Sequence, residues 1–135
     1  MTKPYLIGYN INANERRETT MTRTFVELPL FRARWKDMGL GDDDLKRLQE
    51  QLLADPKVGA VMRGTGGVRK MRFAFEQKGK SGSVRVIYVD FEVYEKIFLI
   101  TAYPKNEKDN LTDSERNEIK QMIHALEEQL RANAK

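Results

Sequence analysis

Between Arg69 and Arg85 the chain places six cations, Arg69, Lys70, Arg72, Lys78, Lys80 and Arg85, against one acid, Glu76. Lys70, Arg72 and Arg85 are the ones whose spacing could do chemistry. In "VRKMRFAF" the residues alternate from Lys70 onward, with Met71, Phe73 and Phe75 on one face of a pleat and Lys70, Arg72 and Ala74 on the other. If Arg85 joins them from an adjacent antiparallel strand, three cations share a surface at a spacing of about 5 to 7 Å. At about 6 Å and an effective dielectric near 20, each like-charge pair repels by roughly 3 kcal/mol. Such a cluster asks for an anion. Arginines hold phosphate oxygens bidentately, and a lysine crowded by other cations is a usable proton acceptor, so the surface could bind a phosphodiester or cleave one. The bland alternative is an exposed basic sheet face offset by surface ion pairs, each worth little.

The charge is local. Eight basic residues and one acid lie between Lys57 and Arg85, a net +7 in a chain whose total is +4, so the remainder carries −3. A patch of that density points to a polyanion, whereas the same charges spread evenly would say little. The 135 residues suffice for one domain with a single core, and 40% hydrophobic against 33% charged suits a globular protein. No apolar run approaches the roughly 18 to 20 residues that span a bilayer, so no membrane partner is expected. With no cysteine, disulfides, thiolate catalysis and cysteine-ligated zinc are excluded; a single histidine rules out a histidine-rich metal site.

The elements that must position the cations follow from periodicity. Residues 1–21 ("MTKPYLIGYNINANERRETTM") differ from the rest and are expected to be an N-terminal extension ahead of a natural start at Met21, without the pattern of a secretory signal; alternatively, Tyr5 to Ile11 adds an edge strand. "RTFVEL" predicts a strand stopped by Pro29. Phe31, Trp35 and Met38 then mark the buried face of a first helix ending at Gly39. Asp42 is expected to cap a second helix, with Leu45, Leu48, Leu52 and Leu53 as its stripe and Asp55-Pro56 as its end. "SVRVIYVDF" and "KIFLITAY" read as two further strands after the one bearing Lys70, and "QKGKSGS" as the hairpin loop. A last amphipathic helix opens with the capping box Thr112-x-x-Glu115 and buries Ile119, Met122, Ile123, Leu126 and Leu130. The expected fold class is α+β: an antiparallel sheet of three sequential C-terminal strands plus an N-terminal strand, with two N-terminal helices and a C-terminal helix. The helices are expected on one side of the sheet.

Other motifs take bland readings. Gly64-Thr65-Gly66-Gly67 precedes a strand, whereas phosphate loops and dinucleotide fingerprints open helices, so it reads as a tight turn. His124 lies off the apolar stripe and is expected to be exposed. Glu107, Asp109, Asp113 and Glu115 straddle a helix start, where acids serve the dipole and cap, so no metal is expected.

Taken in order, "GTGGVRKMRF", "KGKSGSVRVIY" and "ITAYPKNEKDNLT" after a two-helix N-terminal half resemble the HigB-like branch of the RelE/ParE toxin superfamily of bacterial toxin–antitoxin systems. The resemblance spans about residues 22–130, and residues 22–133 are assigned to the toxin domain. It implies a RelE-like fold and a cytoplasmic, ribosome-dependent endoribonuclease. Such an enzyme cuts A-site mRNA through attack of the message's own 2′-hydroxyl, without metal or other cofactor, and so inhibits translation. In RelE-like toxins a Lys-x-Lys pair, an arginine on the next strand, and basic and tyrosine side chains near the C-terminus do the chemistry. The resemblance then assigns Lys70 as base or 2′-hydroxyl orienter, Arg72 and Arg85 as clamps on the developing charge of the phosphorane, and Lys105 as the proton donor to the leaving oxygen. Arg69, Lys78, Lys80 and Lys108 become RNA or ribosome contacts, with Tyr103 an aromatic surface for a base. The chain departs from the pattern where Arg72 replaces lysine, Asn106 stands at the position of the late arginine, and Thr112 stands near that of the tyrosine. The implied partners are the ribosome, mRNA and a helix-turn-helix antitoxin, whose complex with the toxin would bind operator DNA. Two other readings stay open: a ParE-like gyrase inhibitor, and a non-enzymatic protein whose basic face only binds nucleic acid or an antitoxin.

Overall fold

The computed structural model describes residues 4–7, 22–77, 80–107 and 110–134, without the side chains of 4–7, 77, 80 and 81. In chain order the elements are β1 (Pro4–Ile7), β2 (Arg23–Glu27), α1 (Pro29–Asp37), α2 (Asp42–Ala54), β3 (Ala60–Val61), β4 (Arg69–Gln77), β5 (Lys80–Phe91), a 3-10 turn (Glu92–Tyr94), β6 (Lys96–Pro104) and α3 (Asp113–Asn133). They form one sheet in the order β1-β2-β6-β5-β4-β3. The class is α+β, with the three sequential strands and three long helices the periodicity predicts. β2 runs parallel to β6 while every other pairing is antiparallel, so the sheet is mixed. Pro4–Ile7 adds an antiparallel edge strand on β2; residues 8–11, the rest of the apolar leader segment, lie outside the described residues. The two-residue β3 has too little pattern to be read from sequence.

The helices cover both faces, which corrects the one-sided arrangement expected from sequence. α1 and α2 bury Phe31, Trp35, Leu45, Leu48 and Leu52 against Phe25, Met71, Phe73, Val84, Val86, Tyr88, Ile97 and Leu99. α3 buries Ile123, with Ile119, Met122, Leu126 and Leu130 half-buried around it, against Ile87, Val89, Phe98, Ile100 and Tyr103 on the opposite face. The physical reason is composition: β5 and β6 are apolar on both pleat faces over most of their length, and a strand of that kind must be covered twice.

Local chemistry sets the ends. Pro29 starts α1, and Phe31 stacks on Trp35 at 5.1 Å, with Phe73 5.7 Å beyond. Gly39, at φ 78, ends the helix in the left-handed region. Gly41 rather than Asp42 is the N-cap of α2, and Asp44 closes the box by accepting from the Gly41 N–H at 3.2 Å. Arg23 on β2 reaches across β6 to Asp90 on β5 with bonds of 2.8 and 3.1 Å. That hydrogen-bonded carboxylate raises the arginine's pKa further still. The pair is 8% and 7% exposed, so removing either side chain would strand a buried charge.

The "RGTGG" turn is as tight as expected. Thr65 Oγ1 donates to the Met62 carbonyl at 2.6 Å and accepts from the Val68 N–H at 3.1 Å, while Gly64, Gly66 and Gly67 take φ of 79°, 84° and 105°. Upstream, the Tyr88 hydroxyl accepts from the Gly59 N–H at 3.0 Å and donates to the Pro56 carbonyl at 2.8 Å. A Cβ at Gly59 would meet the Lys70 carbonyl oxygen at 2.8 Å. Gly59→Ala is therefore expected to push this loop off β4 and lower the unfolding free energy by about 1 to 3 kcal/mol, measured by urea denaturation. Burial holds the Tyr88 phenol above its ordinary 10.0, against a smaller opposing effect of the Gly59 bond. Below that value both states keep the proton; as pH rises through it the unfolded chain ionises first, so stability falls. Tyr88→Phe should lose about 1 to 3 kcal/mol at neutral pH yet show a shallower further decline than wild type between about pH 9 and 11.

Candidate RNA-facing site

Register brings the cations together. In the antiparallel β4–β5 pair Arg72 stands opposite Arg85, and in β5–β6 Arg85 stands opposite Tyr103, so these three form a row across three strands. Lys70 heads the next row, opposite Ile87, which in turn faces Thr101. Residues directly paired in an antiparallel sheet share a face, and so do residues two apart on one strand, so Lys70, Arg72 and Arg85 lie on one surface. It is the α3 face of the sheet. Adjacent strands are about 4.8 Å apart, which sets the backbones of Arg72 and Arg85 side by side.

The three differ in environment. Arg72 is exposed, while Lys70 and Arg85 are half-buried. The Arg85 Nη1 atom is buried and has no hydrogen-bond partner among the described residues. A guanidinium nitrogen in that position costs about 1 to 3 kcal/mol relative to a satisfied one. Lys70 Nζ donates to Asn110 Oδ1 at 3.2 Å. Asn110 stands two residues before the N-cap of α3, so the start of that helix approaches the cationic surface.

Other residues singled out from sequence fall elsewhere. Arg69 points to the opposite face: its Nη1 donates to the Gly59 and Lys57 carbonyls at 2.6 and 3.3 Å, which ties down the loop before β3. Tyr103 is on the row but only 2% exposed, packed in the α3 cluster, so its ring offers no free face for a base; that expectation is corrected. Lys80 pairs with Gln77 at the hairpin tip, five residues from the Arg72–Arg85 pair, about 17 Å along the strand. Lys78, Lys108 and the carboxylate of Asp109 lie outside the described residues. His124 is exposed, as expected from the helical wheel, and Asp113 and Glu115 occupy the first turn of α3, where the Thr112–Glu115 capping box is formed.

Lys105 is exposed in the turn that follows β6, two residues after Tyr103. The Glu107 N–H donates to the Pro104 carbonyl at 3.0 Å, closing the turn. Arg34 of α1 fixes it from outside, with its Nε bonded to the Ala102 carbonyl at 3.1 Å and its Nη2 to the Glu107 carboxylate. Arg34 and Asn110 escaped the sequence reading. One was a charge on a helix, the other a loop amide, and neither carries a spacing signal.

A groove of about 550 Å³ shares Tyr103 but none of Lys70, Arg72 or Arg85. It lies among Leu28, Leu30, Ile100, Ile119 and Met122, with Glu115 and Glu118 also lining it. Its three acids, Glu107, Glu115 and Glu118, outweigh Arg34 and disfavour phosphate, so the cationic row, and not this groove, is the candidate site for RNA. Among the described residues no helix is long and apolar enough to cross a membrane.

Three cations on one pleated face, an arginine nitrogen without an acceptor among the described residues, and the Lys105 turn after β6 form a surface suited to a phosphodiester. Residues 30–134 match the family described as RelE toxin of the RelE/RelB toxin–antitoxin system. This match covers well over half of the chain and includes every cation of the site. It also implies an antitoxin partner. The chain belongs to the RelE toxin family.

Proposed function

We propose that this toxin is a HigB-like, ribosome-dependent endoribonuclease that cuts mRNA in the A site. The observation that carries the reading is the shared face of Lys70, Arg72 and Arg85, with a buried Arg85 nitrogen that lacks a protein acceptor among the described residues. In the proposed reaction Lys70 orients the 2′-hydroxyl or accepts its proton. The 2′-oxygen attacks the adjacent phosphorus, the bond to the 5′-oxygen breaks, and a 2′,3′-cyclic phosphate and a 5′-hydroxyl result. Arg72 and Arg85 bind the non-bridging oxygens where charge develops, which is worth most when the donors are in place before reaction. Lys105, on its braced turn, protonates the departing 5′-oxygen. The positive charge needed by the phosphorane is supplied by side chains, so the chemical step is proposed to need no metal ion. Repressing operator DNA together with a helix-turn-helix antitoxin, and acting in the cytoplasm, belong to the same proposal. A ParE-like gyrase inhibitor would have no use for such a cluster, and a supercoiling assay separates that reading.

Two experiments test it. Ribosomes programmed with a defined message and kept assembled in magnesium buffer should yield a cut at the A-site codon when incubated with toxin. Arg85→Ala should slow it about 10²- to 10³-fold with its thermal melt retained. Intact message with wild-type toxin overturns the reading. Binding to a non-cleavable 2′-deoxy oligonucleotide should weaken with salt, and the Lys70→Ala, Arg72→Ala double variant should flatten the plot of log K against log salt by about 1.4.

A further inference from the structure

We infer that Asn110 is a positioning residue that holds Lys70 on the cationic face; the inference rests on the nuclease reading above. Lysine is the least self-supporting member of the site. Its ammonium sits on four rotatable carbons, whereas the arginine forks are planar and shorter of freedom per bond formed. A proton acceptor must lie within about 3 Å of the hydroxyl it serves, so something has to confine it. The Lys70 Nζ to Asn110 Oδ1 bond of 3.2 Å, between residues 40 apart in sequence, does so.

Asn110 can confine only if it is itself held, and its neighbours show that it is. Leu111 is buried in the α3-face cluster. Thr112 and Glu115 cap α3 reciprocally, with the Glu115 N–H on Thr112 Oγ1 at 3.1 Å and the Thr112 N–H on Glu115 Oε1 at 2.8 Å. Arg116 then bonds the Leu111 carbonyl at 3.5 Å and the Arg63 carbonyl at 3.0 Å. Arg63 begins the glycine turn that leads directly into β4 and Lys70. The amide and the ammonium therefore hang from the same clamped piece of chain, and their separation is fixed by packing rather than by chance approach.

The choice of amide has a chemical reason. A carboxamide oxygen accepts from an ammonium without cancelling its charge. A carboxylate at position 110 would also hold the lysine but would subtract a charge from a face that carries Arg72 two residues along β4 and Arg85 diagonally on β5, both of which serve phosphate. Asparagine thus orients the amine and leaves the field of the site intact.

The test uses the full-length toxin. Acetylation of Lys70 by an amine-reactive acetyl ester is followed by peptide mass spectrometry, with exposed Lys120 on α3 as the internal reference, beside single-turnover cleavage of ribosome-bound message. Asn110→Ala should raise the Lys70:Lys120 rate ratio at least about threefold and lower kcat about tenfold, with KM within about twofold of wild type. Asn110→Asp should restore the wild-type acetylation ratio while raising KM about fivefold through its added negative charge. A merely structural role would make the two variants alike. An acetylation ratio in Asn110→Ala within about twofold of wild type, on protein of unchanged melting temperature, overturns the inference. Failure of the wild type to cut any message would sink the nuclease reading, and the acetylation ratio would still decide whether Asn110 holds the ammonium.

Discussion

The register of β4 against β5 is the constraint on which the site depends, because it sets Arg72 directly opposite Arg85. Like charges in that position destabilise a sheet, so the pairing is held from the other face. There Met71 pairs with Val86 and Phe73 with Val84, all buried beneath α1 and α2. Slipping the register by one residue would turn this apolar row out and drive the arginines into the aromatic cluster around Trp35. Gly82 contributes by leaving room for its cross-strand partner: a Cβ there would lie 2.9 Å from the Phe75 ring, which would have to shift. Packing on one side of the pleat enforces charge crowding on the other.

The remaining elements turn a crowded strand pair into a site with an inside and an outside. Covering the second face with α3 buries Tyr103, the residue paired with Arg85, and one Arg85 guanidinium nitrogen is itself out of contact with water. Arg34 caps the end of β6 and braces the turn that carries Lys105; Arg116 clamps the approach to α3 onto the glycine turn before β4. Glu107, Glu115 and Glu118 outnumber Arg34 along the neighbouring groove and keep that surface unsuited to RNA.

Much of this was legible in the sequence because period-two alternation survives in β4. "KMRFAF" separates charge from apolar side chains so cleanly that the shared face of Lys70 and Arg72 follows from the pleat alone, and the glycines of "QKGKSGS" call for a hairpin that folds Arg85 back beside them. What was lost was lost where pattern is silent. β5 and β6 are apolar on both sides, so their sequence announces burial without saying which helix covers which face. Tyr103 looks like an accessible ring in "TAYPK" because exposure of an aromatic depends on α3 docking over it, a contact made by residues about twenty positions later. Arg69 belongs to the same basic run as Lys70, yet the pleat sends it to the other side, where it satisfies two carbonyls. Asn110 and Arg34 act through bonds spanning 40 and about 70 residues, distances at which spacing carries no information.

The central claim is that Arg72 and Arg85 together form an oxyanion slot. Nitrogen NMR of the arginine side chains reads it directly, with the toxin titrated by a non-cleavable 2′-deoxy dinucleotide at constant ionic strength. The Arg72 and Arg85 Nε resonances should shift in concert and saturate with one dissociation constant, while Arg69 and Arg116, already committed to backbone carbonyls, stay in place. Shifts confined to Arg69 or Arg116, or spread evenly over all arginines without saturation, would contradict it.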